Sequence, residues 1–371
     1  MSTNRVKSIS EQGQSIWLDY IRRDLLVTGA LTQQIADDGL KGLTSNPAIF
    51  EKAIAASTLY DAAIAEQVRA GQRDPEALAE ALAVDDIRRA ADAFQSVYTA
   101  TRGIDGYVSL EVSPRLASDT ARTLTEARRL WRAVNRPNLM IKVPGTLEAV
   151  PVVRALIAEG INVNITLLFA RSAYLAVAEA YLQGLEDRIA RGERIDQIAS
   201  VASFFISRID TVMDAAIAAI AAHGAAASPL ASRVAIANAK LAYQDFLALT
   251  QSPRWQALAA QGAQPQRLLW ASTGTKNAAL RDTLYVEQLM GPNTVNTVPP
   301  ATLDAFRDHG ETQRTLDVAV IEAQAVMAEV ERLGLPLKAA TDQLVVDGIQ
   351  LFVEAWDKLL AALAAKRDAL A

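Results

Sequence analysis

The sequence predicts an α/β protein built as one (β/α)₈ TIM barrel with additional helices. Three observations carry that expectation. Short apolar or β-branched runs alternate with helix-forming segments rich in Ala, Leu, Glu and Arg, the rhythm of parallel βαβ units. Eight such runs can be counted, enough to close a sheet on itself rather than leave it open. In several of them one alternating set of side chains is polar, where a strand covered by helices ordinarily reads apolar almost throughout.

Taken in order, the strands are expected at Ser15–Asp19, Gly42–Ser45, Tyr107–Val112, Leu139–Val143, Ile161–Leu167, Ala199–Phe205, Arg267–Ser272 and Thr294–Val298. Helical segments between them include Ala117–Ala133, Arg171–Ala190 and Arg208–Ala222. The stretch from Ala48 to Gly103 is longer than an ordinary crossover and reads as a helical insertion after the second strand. Residues 1–371 are therefore expected to form a single barrel domain, with that insertion at 48–103 and C-terminal helices from about residue 300. Gly334 and Pro336 mark a break between two of those last helices. The final stretch, Thr341 to Ala371, fits either a cover over the barrel or a partner surface, so a monomer or a homodimer is expected.

Composition narrows the function classes. Of 371 residues, 51% are hydrophobic and 21% charged, enough to bury a large core. The net charge is −5 and the basic residues are scattered, with no Lys/Arg stripe interleaved with aromatics, which argues against nucleic acid. Cysteine is absent, which removes disulfides, thiolate nucleophiles and cysteine-ligated metals. The two histidines, His223 and His309, do not form a His-x-x-x-His pattern, so no metal is expected. No Gly-x-Ser-x-Gly elbow accompanies them, which disfavours a Ser-His-Asp triad. Met1 to Gln14 is polar and lacks the apolar core of a secretory signal. The Ala-rich stretch Ala215–Ala227 is broken by His223 and Gly224 and falls short of a membrane span. A cytoplasmic protein is expected.

The polar strand faces demand a reason. In Ile161–Leu167 the set Ile161, Val163, Ile165, Leu167 opposes Asn162, Asn164, Thr166; in the third strand Val108, Leu110, Val112 oppose Tyr107, Ser109, Glu111, Ser113. Burying an amide or hydroxyl without partners costs about 1–3 kcal/mol, and a lone carboxylate more. Either a satisfied polar network fills the barrel, or the polar groups form a site at the C-terminal strand ends, where barrel enzymes place their chemistry. Asp19, Asn46, Glu111, Lys142, Thr166, Ser203 and Ser272 all fall near such ends. Lys142 is the sharpest of them, because it interrupts Leu139-Met140-Ile141-Lys142-Val143-Pro144. A lysine among apolar groups loses hydration of its ammonium and becomes a nucleophile suited to Schiff-base chemistry with a ketone. The plainer alternative is a strand-end lysine reaching out to solvent.

Three segments, Gly42-Leu-Thr-Ser-Asn-Pro47, Leu139–Pro144 and Gly160-Ile-Asn-Val-Asn-Ile-Thr-Leu-Leu-Phe169, resemble signature stretches of the transaldolase family, in order and within a likeness running from about Trp17 to Val298. The length and the helical insertion are similar to its longer bacterial subgroup. The resemblance implies transfer of a dihydroxyacetone unit between sugar phosphates, in the non-oxidative pentose phosphate pathway, without cofactor or metal. It implies that Lys142 forms the imine, that Asp19 is the acid/base at the carbon–carbon bond, and that Glu111 and Thr166 handle the water. Thr44, Asn46, Asn164 and Ser203 would hold the ketol unit, and Arg208, Ser272 and Lys276 the phosphate. Shorter members carry an arginine soon after the serine; this chain has Lys276, one residue further on, which loosens that assignment.

Two alternatives stay open at this level. One is a lyase like the fructose-6-phosphate aldolases, which resemble this chain in the lysine strand but carry glutamine and tyrosine where Glu111 and Phe205 stand. The other is a barrel that binds sugar phosphates without catalysis.

Overall fold

The computed structural model describes residues 4–221 and 228–370; His223 lies outside the described residues. Eight parallel strands close into a barrel in the order of the sequence: β1 (Gln14–Asp19), β2 (Gly42–Thr44), β3 (Tyr107–Glu111), β4 (Leu139–Pro144), β5 (Val163–Leu168), β6 (Ser200–Phe205), β7 (Arg267–Ala271) and β8 (Thr294–Val298). β8 pairs with β1, so no edge is left exposed. Every expected strand is present, with ends moved by at most two residues.

The moved ends have local causes. β5 starts at Val163 and not at Ile161 because the Asn162 side chain takes up the pairing there. Its amide donates to the carbonyls of Pro137 and Leu139 at 3.0 and 3.1 Å and accepts from Ala199 N at 2.9 Å. Strict alternation in β5 also fails near its end. The register against β6 shifts between Ile165 and Leu168, and Leu167 adopts φ 60°. Such a bulge re-aims the strand next to the site.

Four helices, Pro47–Ala55, Asp61–Arg69, Pro75–Ala93 and Gln95–Ala100, lie between β2 and β3. After β8 come Pro300–His309, Val320–Arg332 and Leu337–Leu370, the last two separated at Gly334, which has φ 65°. Pro336, just before the final helix, fits the helix-stop role expected of this stretch. That 34-residue helix packs on the Pro47–Ala55 and Pro75–Ala93 helices. Gly348 lets it approach the barrel: a Cβ there would stand 2.8 Å from Leu167 Cδ2. Phe352 and Trp356 follow on the same helix and reach the open strand ends. The tail thus lies over the barrel as a cover. Among the described residues no helix is long and apolar enough to cross a membrane.

The satisfied network expected of the polar interior lies at one end of the barrel. At the N-terminal end Arg267 pairs with Asp105 at 2.9 Å and donates to Ser15 Oγ at 3.0 Å, while Ser15 donates to Asp105 at 2.8 Å. This plug is a satisfied network of the kind that fills barrel interiors. Trp17, Trp270, Phe169 and Phe204 are fully buried in the surrounding core.

A second buried carboxylate has a measurable consequence. Asp210, 2% exposed on the Ser207–Ala221 helix, accepts from Ala235 N and from Tyr285 OH, each at 2.8 Å. Burial pushes its carboxyl from 3.8 up to about 6, against the help of those two bonds. A raised carboxyl contributes its stability below the unfolded value, and loses it as pH climbs through the folded one. Asp210→Asn should therefore gain on the wild type by about 1–3 kcal/mol between about pH 4 and pH 7. Denaturant titrations at both pH values check this, and a pH-independent difference between the two proteins would refute it.

Candidate active site

Parallel register assembles the centre of the site from separate strands. Side chains on paired strands point the same way at paired positions. Glu111 of β3 pairs with Lys142 of β4, Lys142 with Asn164 of β5, Pro144 with Thr166, and Asp19 of β1 with Thr44 of β2. The register therefore sets Glu111 beside Lys142 in one inward row and Asp19 beside Thr44 in another, and the Lys142 charge acts on both carboxyls.

Lys142 and Glu111 are both nearly inaccessible, each with 6% of its side chain exposed, and Nζ lies 3.3 Å from Glu111 Oε2. Nζ donates to the Ser45 carbonyl at 3.0 Å and stands 5.9 Å from the centre of the Phe352 ring. The amine thus faces the barrel axis and does not reach out to bulk water. Burial raises the Glu111 carboxyl, Lys142 opposes that rise, and Asp19 adds to it. The same causes act on Asp19: burial raises its carboxyl, while the Lys142 charge and the Thr44 hydroxyl, which donates at 2.7 Å, pull it back. Two acids around one amine in a poorly solvated centre make a proton easy to pass between them.

Thr166 Oγ1 is buried with no hydrogen-bond partner among the described residues, while Glu111 Oε2 has only the Lys142 amine, 3.3 Å away. An orphaned hydroxyl costs about 1–3 kcal/mol in a buried place, an expense that functional sites bear. Asn164, by contrast, is occupied at both ends, donating to Ser109 Oγ at 3.0 Å and accepting from Ser203 Oγ at 2.7 Å. It is fully buried and does not line the open cavity, whereas Ser203 does.

That cavity, of about 590 Å³, opens at the C-terminal strand ends and is lined by Asp19, Thr44, Asn46, Lys142, Thr166, Ser203, Arg208, Ser272 and Lys276. Asn46 caps the Pro47–Ala55 helix by accepting from Ile49 N at 3.0 Å, which fixes the side chain at the cavity wall. Arg208 lies half-buried with its guanidinium carbon 5.4 Å from the centre of the Phe205 ring. It has no hydrogen-bond or ion-pair partner among the described residues. Burial lowers its hold on the proton, and Asp347 opposes this; a guanidinium stays charged all the same. Ser272 sits just past β7 at φ 58°, a conformation that costs a non-glycine residue energy, and shares a 2.9 Å hydroxyl contact with Ser207. Lys276 is exposed on the loop beyond it.

Of the site residues expected from the sequence, nine line this one cavity; Glu111 and Asn164 stand behind its wall. Among the further lining residues, Lys52, Thr297 and Phe352 escaped the sequence reading. Lys52, exposed and without an ion-pair partner among the described residues, adds a third cation to Arg208 and Lys276. Its spacing from Asn46 and Ile49, three residues at a time along a helix, was the available signal. Thr297 shares a 2.6 Å hydroxyl contact with Thr44, and a threonine in a barrel strand could have been flagged. Phe352 comes from a helix distant in sequence, and no local pattern points to it.

Comparison with known proteins agrees with this geometry. The family model described as transaldolase/fructose-6-phosphate aldolase matches residues 16–363. The chain is 46% identical over 374 residues to a transaldolase of Trichodesmium erythraeum, covering 99% of this chain and 98% of that protein. It is 48% identical over 360 residues to a transaldolase of Thiobacillus denitrificans, covering 97% and 99% respectively. A transaldolase of Thermobifida fusca is 46% identical, with 97% of each chain covered. Matched over nearly its whole length in this way, and folded as a closed eight-stranded barrel around Lys142, the chain belongs to the transaldolase/fructose-6-phosphate aldolase family.

Proposed function

We propose that this chain is a transaldolase, moving a dihydroxyacetone unit from sedoheptulose 7-phosphate or fructose 6-phosphate to glyceraldehyde 3-phosphate or erythrose 4-phosphate. The observation that carries the reading is the Lys142 amine, buried on the barrel axis 3.3 Å from Glu111, at the floor of a cavity rimmed by unpaired cations. The proposal includes a cytoplasmic location, one barrel domain over residues 1–371, and no requirement for a cofactor or metal.

The chemistry follows from the side chains. The Lys142 lone pair attacks the ketose carbonyl carbon, and the resulting carbinolamine loses its hydroxyl as water to leave a protonated imine. Asp19 then removes the proton of the hydroxyl next to the scissile bond. That bond breaks, its electrons run into the iminium, and the aldose leaves. The enamine stays covalently held while Thr44, Asn46 and Ser203 fix its hydroxyls, with Asn164 bracing Ser203 from behind. An incoming aldehyde is attacked by the enamine, and Asp19 returns its proton to the new alkoxide. Glu111 and Thr166 hold the water that leaves and returns. Glu111 and Phe205 favour transfer over the lyase alternative, and the catalytic apparatus around Lys142 argues against a mere binder.

Assay with sedoheptulose 7-phosphate and glyceraldehyde 3-phosphate in EDTA tests the reading directly. Transfer is expected, and release of free dihydroxyacetone as the main product would sink it. The phosphate group is assigned to Arg208, Ser272 and Lys276, with Lys52 as a further contact. Arg208→Ala should raise KM for phosphorylated acceptors by about 10–100-fold, the worth of lost charge-assisted bonds. Lys52→Ala should raise it by only about 2–5-fold, as suits an exposed cation. Neither should alter KM for unphosphorylated glyceraldehyde, and an equal loss with both acceptors would refute the assignment.

A further inference from the structure

A second cavity, of about 610 Å³, lies behind the lysine and shares only Asn46 with the lining of the substrate cavity. It runs between the Pro75–Ala93 and Thr120–Val134 helices, and its inner end is formed by Ser45 and Glu111. Both touch Lys142: Ser45 through the carbonyl that accepts from Nζ at 3.0 Å, Glu111 through Oε2 at 3.3 Å. Lys142 itself lines only the substrate cavity, and Glu111 only the second one. The reacting amine is thus separated from a solvent-open, charge-lined space by one carboxylate and one backbone carbonyl.

We propose that this second cavity is the entry and exit route for the water of imine formation and hydrolysis, with Glu111 as its gate. The inference rests on the transaldolase reading of Lys142. Each imine cycle expels one water, made from the ketose oxygen, one proton of Nζ and one supplied by Glu111, and hydrolysis later returns the oxygen to the same carbon, one proton to Nζ and one to Glu111. While a sugar phosphate fills the first cavity, with its anionic end at Arg208, the front way to solvent is obstructed. The second cavity reaches solvent on its own side, between the Pro75–Ala93 and Thr120–Val134 helices, and is not filled by that substrate. Its wall offers what a travelling water needs: Glu111 Oε2, buried and with the Lys142 amine as its only partner among the described residues, faces that amine. The same wall carries the Arg129 ion pairs with Glu80 and Glu126 further out. A polar, roomy passage of this kind is filled by water and not left dry.

Ala77 and Ala81 offer a way to close the passage, because both face this cavity one helical turn apart and neither touches the substrate cavity. Fructose 6-phosphate labelled with ¹⁸O at the keto oxygen, incubated with the enzyme without acceptor, reports how often the expelled water is replaced from bulk. The rate of label loss, corrected for the uncatalysed rate, is compared with the rate of transfer in a parallel assay. In Ala81→Phe and Ala77→Phe the ratio of exchange to transfer should fall several-fold, with donor KM unchanged and Lys142 still trapped by borohydride. Ala81→Leu, a smaller filling, serves if the phenylalanines prevent folding. An unchanged ratio in the filled variants overturns the route, while loss of borohydride trapping in the wild type would instead overturn the transaldolase reading.

Discussion

Lys142→Ala is expected to reduce transfer by on the order of 10⁶-fold, the scale on which removal of a covalent nucleophile acts. The reason is electronic as well as geometric. Breaking a carbon–carbon bond beside a carbonyl leaves a carbanion, and the protonated imine is the electron sink that accepts it. No other amine replaces it, since Lys52 and Lys276 stand exposed at the cavity rim and not at its floor. Mass spectrometry after borohydride treatment with fructose 6-phosphate should find the reduced adduct on Lys142 in the wild type and none in the variant. Transfer at wild-type rates by Lys142→Ala would end the assignment.

Asp19→Asn is expected to separate the steps that Lys142→Ala abolishes together. The amide keeps the shape and can still accept from the Thr44 hydroxyl, so the imine should form and be trapped. Cleavage should slow by about 10²–10⁴-fold, the usual contribution of a positioned acid/base. The pH profile adds an independent check. Burial raises the Asp19 carboxyl above 3.8, so the base form is lost on the way down in pH sooner than for an ordinary aspartate. The wild-type kcat/KM should therefore fall with decreasing pH through that raised value, and the asparagine variant should lack this limb. An identical acid limb in both proteins would show that Asp19 is not the group being titrated.

The barrel itself was legible because alternation and helix-forming composition act locally. Tyr107, Ser109 and Glu111 face inward in β3 because the strand repeats every two residues, and that is visible in the letters alone. The same rule failed at Leu167, where the bulge in β5 resets the pattern. Ser15 and Asp19 share the inward face of β1, and only their place along the strand separates them: Ser15 joins the plug at the N-terminal end and Asp19 the site at the other. How deep each side chain lies relative to those of other strands depends on their stagger, which no single segment encodes.

What the sequence determined by itself was the order of strands and helices, the inward set on most strands and the lysine among apolar neighbours, since each follows from residues within a few positions of one another. Only the tertiary structure decided that Glu111 pairs across to Lys142, that Lys52 joins Arg208 at the rim, and that Phe352 covers the amine. Those contacts span tens to hundreds of residues, and they exist because closing the barrel and folding the last helix over it bring distant side chains into one poorly hydrated space.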